Sequence, residues 1–355
     1  MSAQNQPLVS IVTPVYNGEA YLDECIESVL SQTWQNWEYI ILNNNSSDRT
    51  LEIAERYQRR DSRIRVHSND TLLPIIANHN KAFGLISAAS RYCKVVSADD
   101  WLFPECLERM VGLAEENPSV GIVGAYQLSG GDGIWYVRNS GLPYSRTVVS
   151  GGEVCRAHML GMLKVLGNPT SVMYRADLVR STDRFFPNPT AEADTSACLK
   201  HLRFSDFGFV HQVLSHERIH NVRVTTASLE TNAYLSAAIS DCQAYGEWYL
   251  TKQEREARIA ELLDQYYTYL GASAFKLKDK QFWNYHIGRL EGLGFRLNGR
   301  KLFASIASKS LDLLLNPKST VQMVLRRMRL NRALRSGAAE KHKRRGLKTR
   351  ATVCR

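Results

Sequence analysis

Nowhere in this 355-residue chain do roughly eighteen apolar residues run uninterrupted, the length a helix needs to cross a bilayer. The opening stretch, MSAQNQP, is polar, and the apolar run from Leu8 to Val15 is too short and interrupted for the core of a signal peptide. The seven cysteines (25, 93, 106, 155, 198, 242 and 354) are scattered, and no Cys-x-x-Cys pair occurs. That argues against a disulfide framework and a zinc knuckle; small buried hydrophobes in a reducing compartment are the simpler reading. No Gly-x-Gly-x-x-Gly follows the first strand pattern, which disfavours a dinucleotide-dependent dehydrogenase. These absences together predict a cytoplasmic protein.

Charge is plentiful but unevenly placed. The net charge is +10, yet residues 326–355 hold twelve lysines and arginines against one acid, Glu340, so the rest of the chain is close to neutral. Such a tail is either drawn to an anionic surface or is a solvated terminus. It lacks interleaved aromatics, so nucleic acid is not expected as a partner.

The first 125 residues alternate strand and helix signals. Apolar runs at Val9–Val12, Tyr39–Leu42, Ile64–His67, Lys94–Ser97 and Val120–Val123 read as buried strands. Between them, apolar residues recur at helical spacing: Tyr21 to Leu30 with Asn17 as its cap, a helix opened by Ser47 and Asp48, one near Ile75 to Ser87, and one starting at Pro104. This pitch predicts an α/β protein with a mostly parallel sheet flanked by helices, binding its ligand at the carboxyl ends of the strands. Residues 126–174 are less regular apart from a hairpin turn at Ser129 to Gly133, and after residue 225 the pattern is helical.

Four clusters fall at or after strand ends. Thr13-Pro14-Val15-Tyr16-Asn17 offers a bend and an aromatic suited to stacking on a base, or a turn with a core tyrosine. Asn43-Asn44-Asn45-Ser46-Ser47-Asp48 offers amides that can match the edge of a pyrimidine, while an Asx turn accounts for part of it. Adjacent carboxylates in Ala98-Asp99-Asp100-Trp101 repel one another unless a hard cation such as Mg²⁺ or Mn²⁺ relieves them; the alternative is a solvated turn. Ala191-Glu192-Ala193-Asp194 puts a carboxylate at a helix start, as a general base or as an ordinary cap. His216 and His220 follow, either of which could complete a metal shell.

In order and wording these clusters resemble glycosyltransferase family 2, whose catalytic domain has the GT-A fold. The resemblance is carried by PLVSIVTPVYNGEAYLDECIESVLSQTWQNWEYIIL and KVVSADDWLFPECLERMVGLAEENPSVGIVGA, and it extends from Pro7 to His220. It implies that Pro14, Tyr16, Asn44, Asn80 and Asp99 bind a nucleotide-sugar, with Tyr16 stacked on the base and Asn44 reading its edge. Asp99, Asp100 and His220 would hold Mn²⁺ or Mg²⁺. Asp194 would be the general base, with Glu192 in that role if the register is off by two, and Gly167 to Ser171 would line the acceptor side. The chain departs from the family pattern at Asn43 and Asn44, which replace an aspartate pair, at Ser97, which replaces the first metal aspartate, and at Ala193, which replaces a glutamate.

The resemblance implies an inverting, metal-dependent transferase that uses a UDP- or dTDP-sugar and a saccharide or lipid-linked acceptor, in bacterial-type cell-surface polysaccharide or glycolipid synthesis. The rival is a catalytically silent scaffold of the same fold. The expected layout is a catalytic domain over 1–225, with the nucleotide-sugar site in 7–125 and the acceptor side and base in 126–225. A helical region over 226–320 and a basic tail over 321–355 follow. Residues 301–315 are expected to pack their apolar face away, and residues from 321 on are expected to meet an anionic membrane, making the protein peripheral on the inner face of the cell membrane.

Overall fold

Val9–Val15 (β1) is buried along nearly its whole length because it lies between two parallel neighbours, Trp37–Asn43 (β2) and Tyr92–Val95 (β4). A strand covered on both faces needs apolar side chains on both, which is why the sequence runs apolar here rather than alternating. In the computed structural model, residues 6–131, 134–187, 192–219, 231–276 and 278–316 are described. The chain forms two compact units, Met1–Leu263 and Asp264–Arg355.

In the first unit, Ile64–Ser68 (β3), Trp101–Leu102 (β5), Val120–Gly131 (β6), Ile134–Arg138 (β7), Val148–Val149 (β8), Val172–Arg175 (β9) and Asp206–Arg218 (β10) complete one sheet. Its order is β3-β2-β1-β4-β9-β6-β10-β5, with β7 on β6 and β8 on β10. The expected parallel sheet is there in β3-β2-β1-β4 and in the long β6–β10 pair. Strand β9 runs antiparallel between β4 and β6 and joins the two parallel blocks. Neither β8 nor β9 has a clear sequence signal, because short strands that are buried on both faces show no periodicity.

Helices Leu22–Leu30 (α1), Thr50–Arg60 (α2), Ile75–Phe83 (α3), Cys106–Glu116 (α4), Gly151–Met159 (α5), Ala176–Arg180 (α6), Ala193–His201 (α7) and Ala233–Tyr249 (α8) surround the sheet. Two apolar cores result. On β2, Ile40 and Leu42 enter one of them, with Phe83, Tyr174 and Phe185, while Tyr39 and Ile41 enter the other, with Ile26 and Met110. All six described cysteines are free and buried, as expected of small hydrophobes. Helix α8 belongs to this unit: its Asp241 accepts a 2.6 Å hydrogen bond from Ser196 of α7, and the Tyr249 hydroxyl donates to the Leu199 carbonyl.

Two helix starts differ from the sequence reading. Asn17 does not cap α1, whose first residue is Leu22; it adopts a positive φ of 50° and ties β1 to the next loop. Pro104 lies in the turn ahead of α4, which begins at Cys106.

Lys252–Ala274 (α9) spans the division between the units. Beyond it, the second unit holds Lys280–Gly292 (α10) and Gly299–Leu315 (α11). Its small core includes Tyr266, Leu270, Phe282 and Leu290, with the Tyr266 hydroxyl 2.7 Å from His286 Nδ1. The expectation that residues 301–315 pack their apolar face away holds only in part: Leu302, Ile306 and Leu313 are part-buried, while Phe303, Leu311, Leu314 and Leu315 are exposed. The 321–355 tail lies outside the described residues.

Candidate active site

The chain leaves β1 for β2 and β3 on one side and returns to β4 on the other, so the strand order reverses between β1 and β4. In α/β sheets the crevice at such a reversal, at the carboxyl ends of the strands, is where ligands bind. Backbone and side chains close the two strands there: Val96 N donates to Val12 O at 3.0 Å, and Thr13 Oγ1 donates to Val96 O at 2.8 Å. Tyr16 follows β1 directly and is half exposed, a ring standing at the crevice. Pro14 precedes it within β1.

The loops after β1 and β2 are laced together. Asn44 N donates to Val15 O at 2.7 Å, Ser47 N to Asn17 Oδ1 at 2.9 Å, and Gly18 N to Thr50 Oγ1 at 2.8 Å. Asp48 accepts from the Thr50 hydroxyl, from Glu19 N at 3.1 Å and from Thr50 N at 3.0 Å, and these bonds, the hydroxyl's foremost, outweigh its burial and hold its carboxyl below the usual range.

All three asparagines of this loop have local work. Asn43 Oδ1 accepts from Ser46 N at 3.1 Å, closing an Asx turn, and Asn45 takes a positive φ of 55°. Asn44 is buried. Its Nδ2 donates to Leu73 O at 2.8 Å, and its Oδ1 accepts from Leu73 N at 2.9 Å and Asn69 Nδ2 at 2.8 Å. An amide has four hydrogen-bonding positions, and three of them are spent inside the protein. The side chain expected to read a base edge therefore acts as a clamp on the 69–73 loop. Asn80 does the same for Phe186, donating to its carbonyl at 3.0 Å and accepting from its N–H at 2.9 Å, so it too holds a loop where a donor contact was expected.

Asp99 and Asp100 follow β4 in the crevice. Asp100 is 3% exposed; its Oδ2 accepts from Thr170 Oγ1 at 2.7 Å and its Oδ1 from Arg218 N at 3.1 Å. Arg218 also donates from Nε to Asp99 O at 3.2 Å and pairs with Glu24 of α1. Beneath the pair lies Lys94, fully buried on β4. Its ammonium donates to the carbonyls of Thr170 and Val172, and burial pushes its pKa down to about 8. Lys94 thus fastens the short 3₁₀ turn Pro169–Ser171 that presents Thr170 to Asp100.

The same turn reaches Asp194 from its other end. Gly167 and Asn168 have positive φ values of 97° and 54°, and Asn168 N donates to Asp194 Oδ2. A Cβ on Gly167 would sit 2.7 Å from Thr195 Oγ1 and 3.4 Å from Asp194 Oδ2, so the close approach itself requires glycine. Asp194 Oδ1 accepts from Thr195 N at 2.9 Å, and burial raises its pKa despite these bonds. Glu192 Oε2 accepts from Thr195 Oγ1 at 2.7 Å; burial and the neighbouring Asp194 charge push it up to about 8. Asp241 is raised to about 7, chiefly by burial. Opposite them, Glu217 accepts from Ser129 Oγ at 2.7 Å and pairs with Arg138 at 3.3 Å.

His216, one of the two histidines that could complete a metal shell, is 1% exposed and stacked on Trp101 at 3.5 Å and 14°, with Trp135 tilted 4.9 Å from it. Arg218 lies 4.9 Å from the Trp101 ring and 4.6 Å from Tyr21, so the rings and the cation form a wall behind the aspartate pair. His220 lies outside the described residues. Among the described residues no group of three or more His, Cys, Asp or Glu side chains converges on a metal position. Two adjacent carboxylates nevertheless suit Mg²⁺ or Mn²⁺, which takes one or two of them with phosphate oxygens and water. A carboxylate offers about four acceptor positions, so Thr170 and Arg218 do not by themselves exhaust Asp100.

Sequence reasoning did not find Lys94, Arg218 or Asp241, and it placed Thr170 only within the segment lining the acceptor side, not as a partner of Asp100. Lys94 left one signal, a lysine inside an otherwise apolar strand pattern, and Arg218 and Asp241 left none.

Residues 10–179 match the family model for glycosyl transferase family 2. An uncharacterized glycosyltransferase of Haemophilus influenzae is 37% identical over 123 residues, which covers 35% of this chain and 38% of that one. The uncharacterized glycosyltransferase EpsJ of Bacillus subtilis is 40% identical over 112 residues, 31% of each chain. The match therefore spans about a third of the length of these curated relatives. Among solved structures, Staphylococcus aureus TarS 1–349 in complex with UDP-GlcNAc aligns over 81% of this chain and 80% of its own, with a TM-score of 0.59 and 17% identity. The mannosyltransferase PcManGT of Pyrobaculum calidifontis, in complex with GDP-Man and Mn²⁺, aligns over 88% of each chain with a TM-score of 0.51 and 12% identity. Residues 10–179 of this chain are therefore a glycosyl transferase family 2 segment, set in a fold that aligns with that of TarS.

Proposed function

We propose that the chain transfers a sugar from a nucleotide-diphosphate sugar to a hydroxyl acceptor with inversion at the anomeric carbon. The observation that carries this reading is the 167–171 turn. Thr170 holds Asp100 and Asn168 holds Asp194, so one rigid element sets the spacing between a cation-binding carboxylate and a half-buried base. Rigid spacing of this kind is how enzymes lower barriers by positioning.

In this reading Tyr16 stacks on the base, and Asp99 and Asp100 would hold Mn²⁺ or Mg²⁺. The cation supplies charge neutralisation for the departing nucleoside diphosphate. Asp194 accepts the proton of the acceptor hydroxyl; that oxygen bonds to the anomeric carbon as the bond to the diphosphate breaks. Its raised pKa makes it a stronger base than a solvated aspartate, at the cost of needing a higher pH to ionise. Glu192 is raised to about 8 by burial and by the Asp194 charge, so the two carboxylates hold protons against one another.

With the Asn44 amide committed to Leu73, base selection falls to Tyr16 and the backbone of the 43–48 loop. Uridine and thymidine diphosphate sugars are the expected donors, in line with TarS, whose fold this chain shares and which is solved with UDP-GlcNAc. A saccharide or lipid-linked saccharide in cell-surface polysaccharide or glycolipid synthesis is the expected acceptor.

The experiment is a thermal-shift series with UDP, dTDP, GDP and CDP, each with and without Mn²⁺. Stabilisation of about 3 kcal/mol is expected for one nucleotide at a hundredfold excess over its Kd, and only with the metal. No shift with any of the four would replace this reading with that of a silent scaffold, for which the committed Asn44 amide is the supporting observation.

A further inference from the structure

Helix α11 presents two different faces. One holds Leu302, Ser305, Ile306, Lys309, Ser310 and Leu313, all part-buried. It is seated closely on α9: a Cβ added at Gly271 would stand 2.7 Å from Ser305 Cβ and 3.1 Å from Ile306 N. Asn298 caps the helix start, accepting from Lys301 N at 3.1 Å. Lys301 pairs with Asp264 at 2.7 Å, which fixes the rotation of the helix about its axis.

The other face is unpartnered among the described residues. Phe303 is 72% exposed, Leu311 57%, Leu314 77% and Leu315 76%. Phe303, Ala307 and Leu311 follow one another at intervals of four, and Leu314 and Leu315 lie three and four residues beyond Leu311, so they form a single stripe along the helix. Isolated exposed apolar residues are ordinary, but a contiguous stripe of four large ones marks an interaction surface.

We propose that this stripe docks on an anionic phospholipid surface, with α11 lying in the plane of the membrane. The helix has 17 residues, and no described helix is long and apolar enough to cross a bilayer, so an in-plane position is the one its geometry allows. Charge selects the occupant. Residues 317–355 continue directly from the stripe and carry thirteen lysines and arginines against one acid, Glu340. Basic residues next to a shallowly inserted apolar stripe are attracted to anionic headgroups, and the attraction falls off within a Debye length. A second copy of the chain would bring two such segments together and repel. A nucleic acid would match the charge but leave the aliphatic stripe in water. The inference puts the apolar anchor in α11, not in residues from 321 on, and does not depend on the donor chemistry proposed above.

The experiment is co-sedimentation of the full chain with vesicles of phosphatidylglycerol and phosphatidylcholine, and with phosphatidylcholine alone, for the wild type and the Leu311→Asp/Leu314→Asp variant. Both positions are exposed, so the variant is expected to keep the wild-type circular dichroism and the nucleotide-induced thermal shift. The expected result is partition of the wild type onto the anionic vesicles only, weakened at least tenfold in the variant. Three results would each overturn the proposal: equal partition of wild type and variant, wild-type binding to neutral vesicles as strong as to anionic ones, or no binding by the wild type. Concentration-dependent dimerisation that the variant abolishes would assign the stripe to a second copy and overturn it as well. A nucleotide shift that is lost in the wild type, with vesicle binding intact, counts against the donor reading alone.

Discussion

Exchanging Glu192 for glutamine isolates the electrostatics of the carboxylates gathered around Asp194. Glu192 carries an ordinary value of 4.5 when solvated and about 8 in the folded chain. Between those values the folded chain keeps a proton that the unfolded chain has lost, so stability falls as pH rises through the window. Below about 4.5 both states are protonated and the group costs nothing; above about 8 the whole cost is present. A displacement of that size corresponds to about 5 kcal/mol at most. The side chain keeps some exposure, and screening brings the expected cost nearer to about 2 kcal/mol. Glutamine preserves the shape and can still accept the 2.7 Å hydrogen bond from Thr195 while removing the charge. Urea unfolding followed by tryptophan fluorescence reports on the first unit, which holds five of the six tryptophans. Glu192→Gln should match the wild type near pH 5 and exceed it by about 2 kcal/mol near pH 8.5. Curves that stay parallel across this range, or a variant less stable at both ends, would refute the argument that Glu192 is charged at a cost. Transfer activity should survive the exchange if Asp194 is the base; its loss would move that role to Glu192.

Three further outcomes are expected. Asp194→Asn should abolish transfer, measured by nucleoside diphosphate release with acceptor present, while the nucleotide-induced thermal shift stays close to wild type; full activity would remove Asp194 from its role. Asp100→Ala should lose the metal-stimulated part of that shift, and an unchanged Mn²⁺ titration would assign the cation to other ligands. Asn44→Ala leaves the N–H and carbonyl of Leu73 without their partner, so it should lower stability by about 1–3 kcal/mol in urea titration. A variant with full stability and altered nucleotide preference would restore Asn44 as a reader of the base.

The order of strands and helices through residue 125 was legible because each is a run of neighbours whose burial repeats with a fixed period. The four clusters were legible because each sits where such a run stops. Legibility ended where a residue's role depends on a distant partner. The run of three asparagines suggested a base-reading surface that no single turn could explain, yet two of the amides are bonded within the fold and the third residue serves the turn through its backbone. One closes a turn, one takes a left-handed backbone, and one clamps residue 73. Strand β9 and the turn before it carried no periodic signal, although they join the two halves of the sheet and of the site.

The sequence by itself determined the α/β alternation, the carboxylates at the end of β4 and at the start of α7, and the concentration of positive charge at the end of the chain. These depend on local chemistry, on which side chains a strand or helix tolerates and where a backbone must turn. Tertiary structure alone decided which side chains meet. Thr170 reaches Asp100 across 70 residues, Asn80 reaches Phe186 across 106, and Lys94 fastens a turn 76 residues away. It also decided that the stripe on α11 faces outward. A hydrogen bond or a buried face is a property of two surfaces, and the chain order of one of them does not name the other.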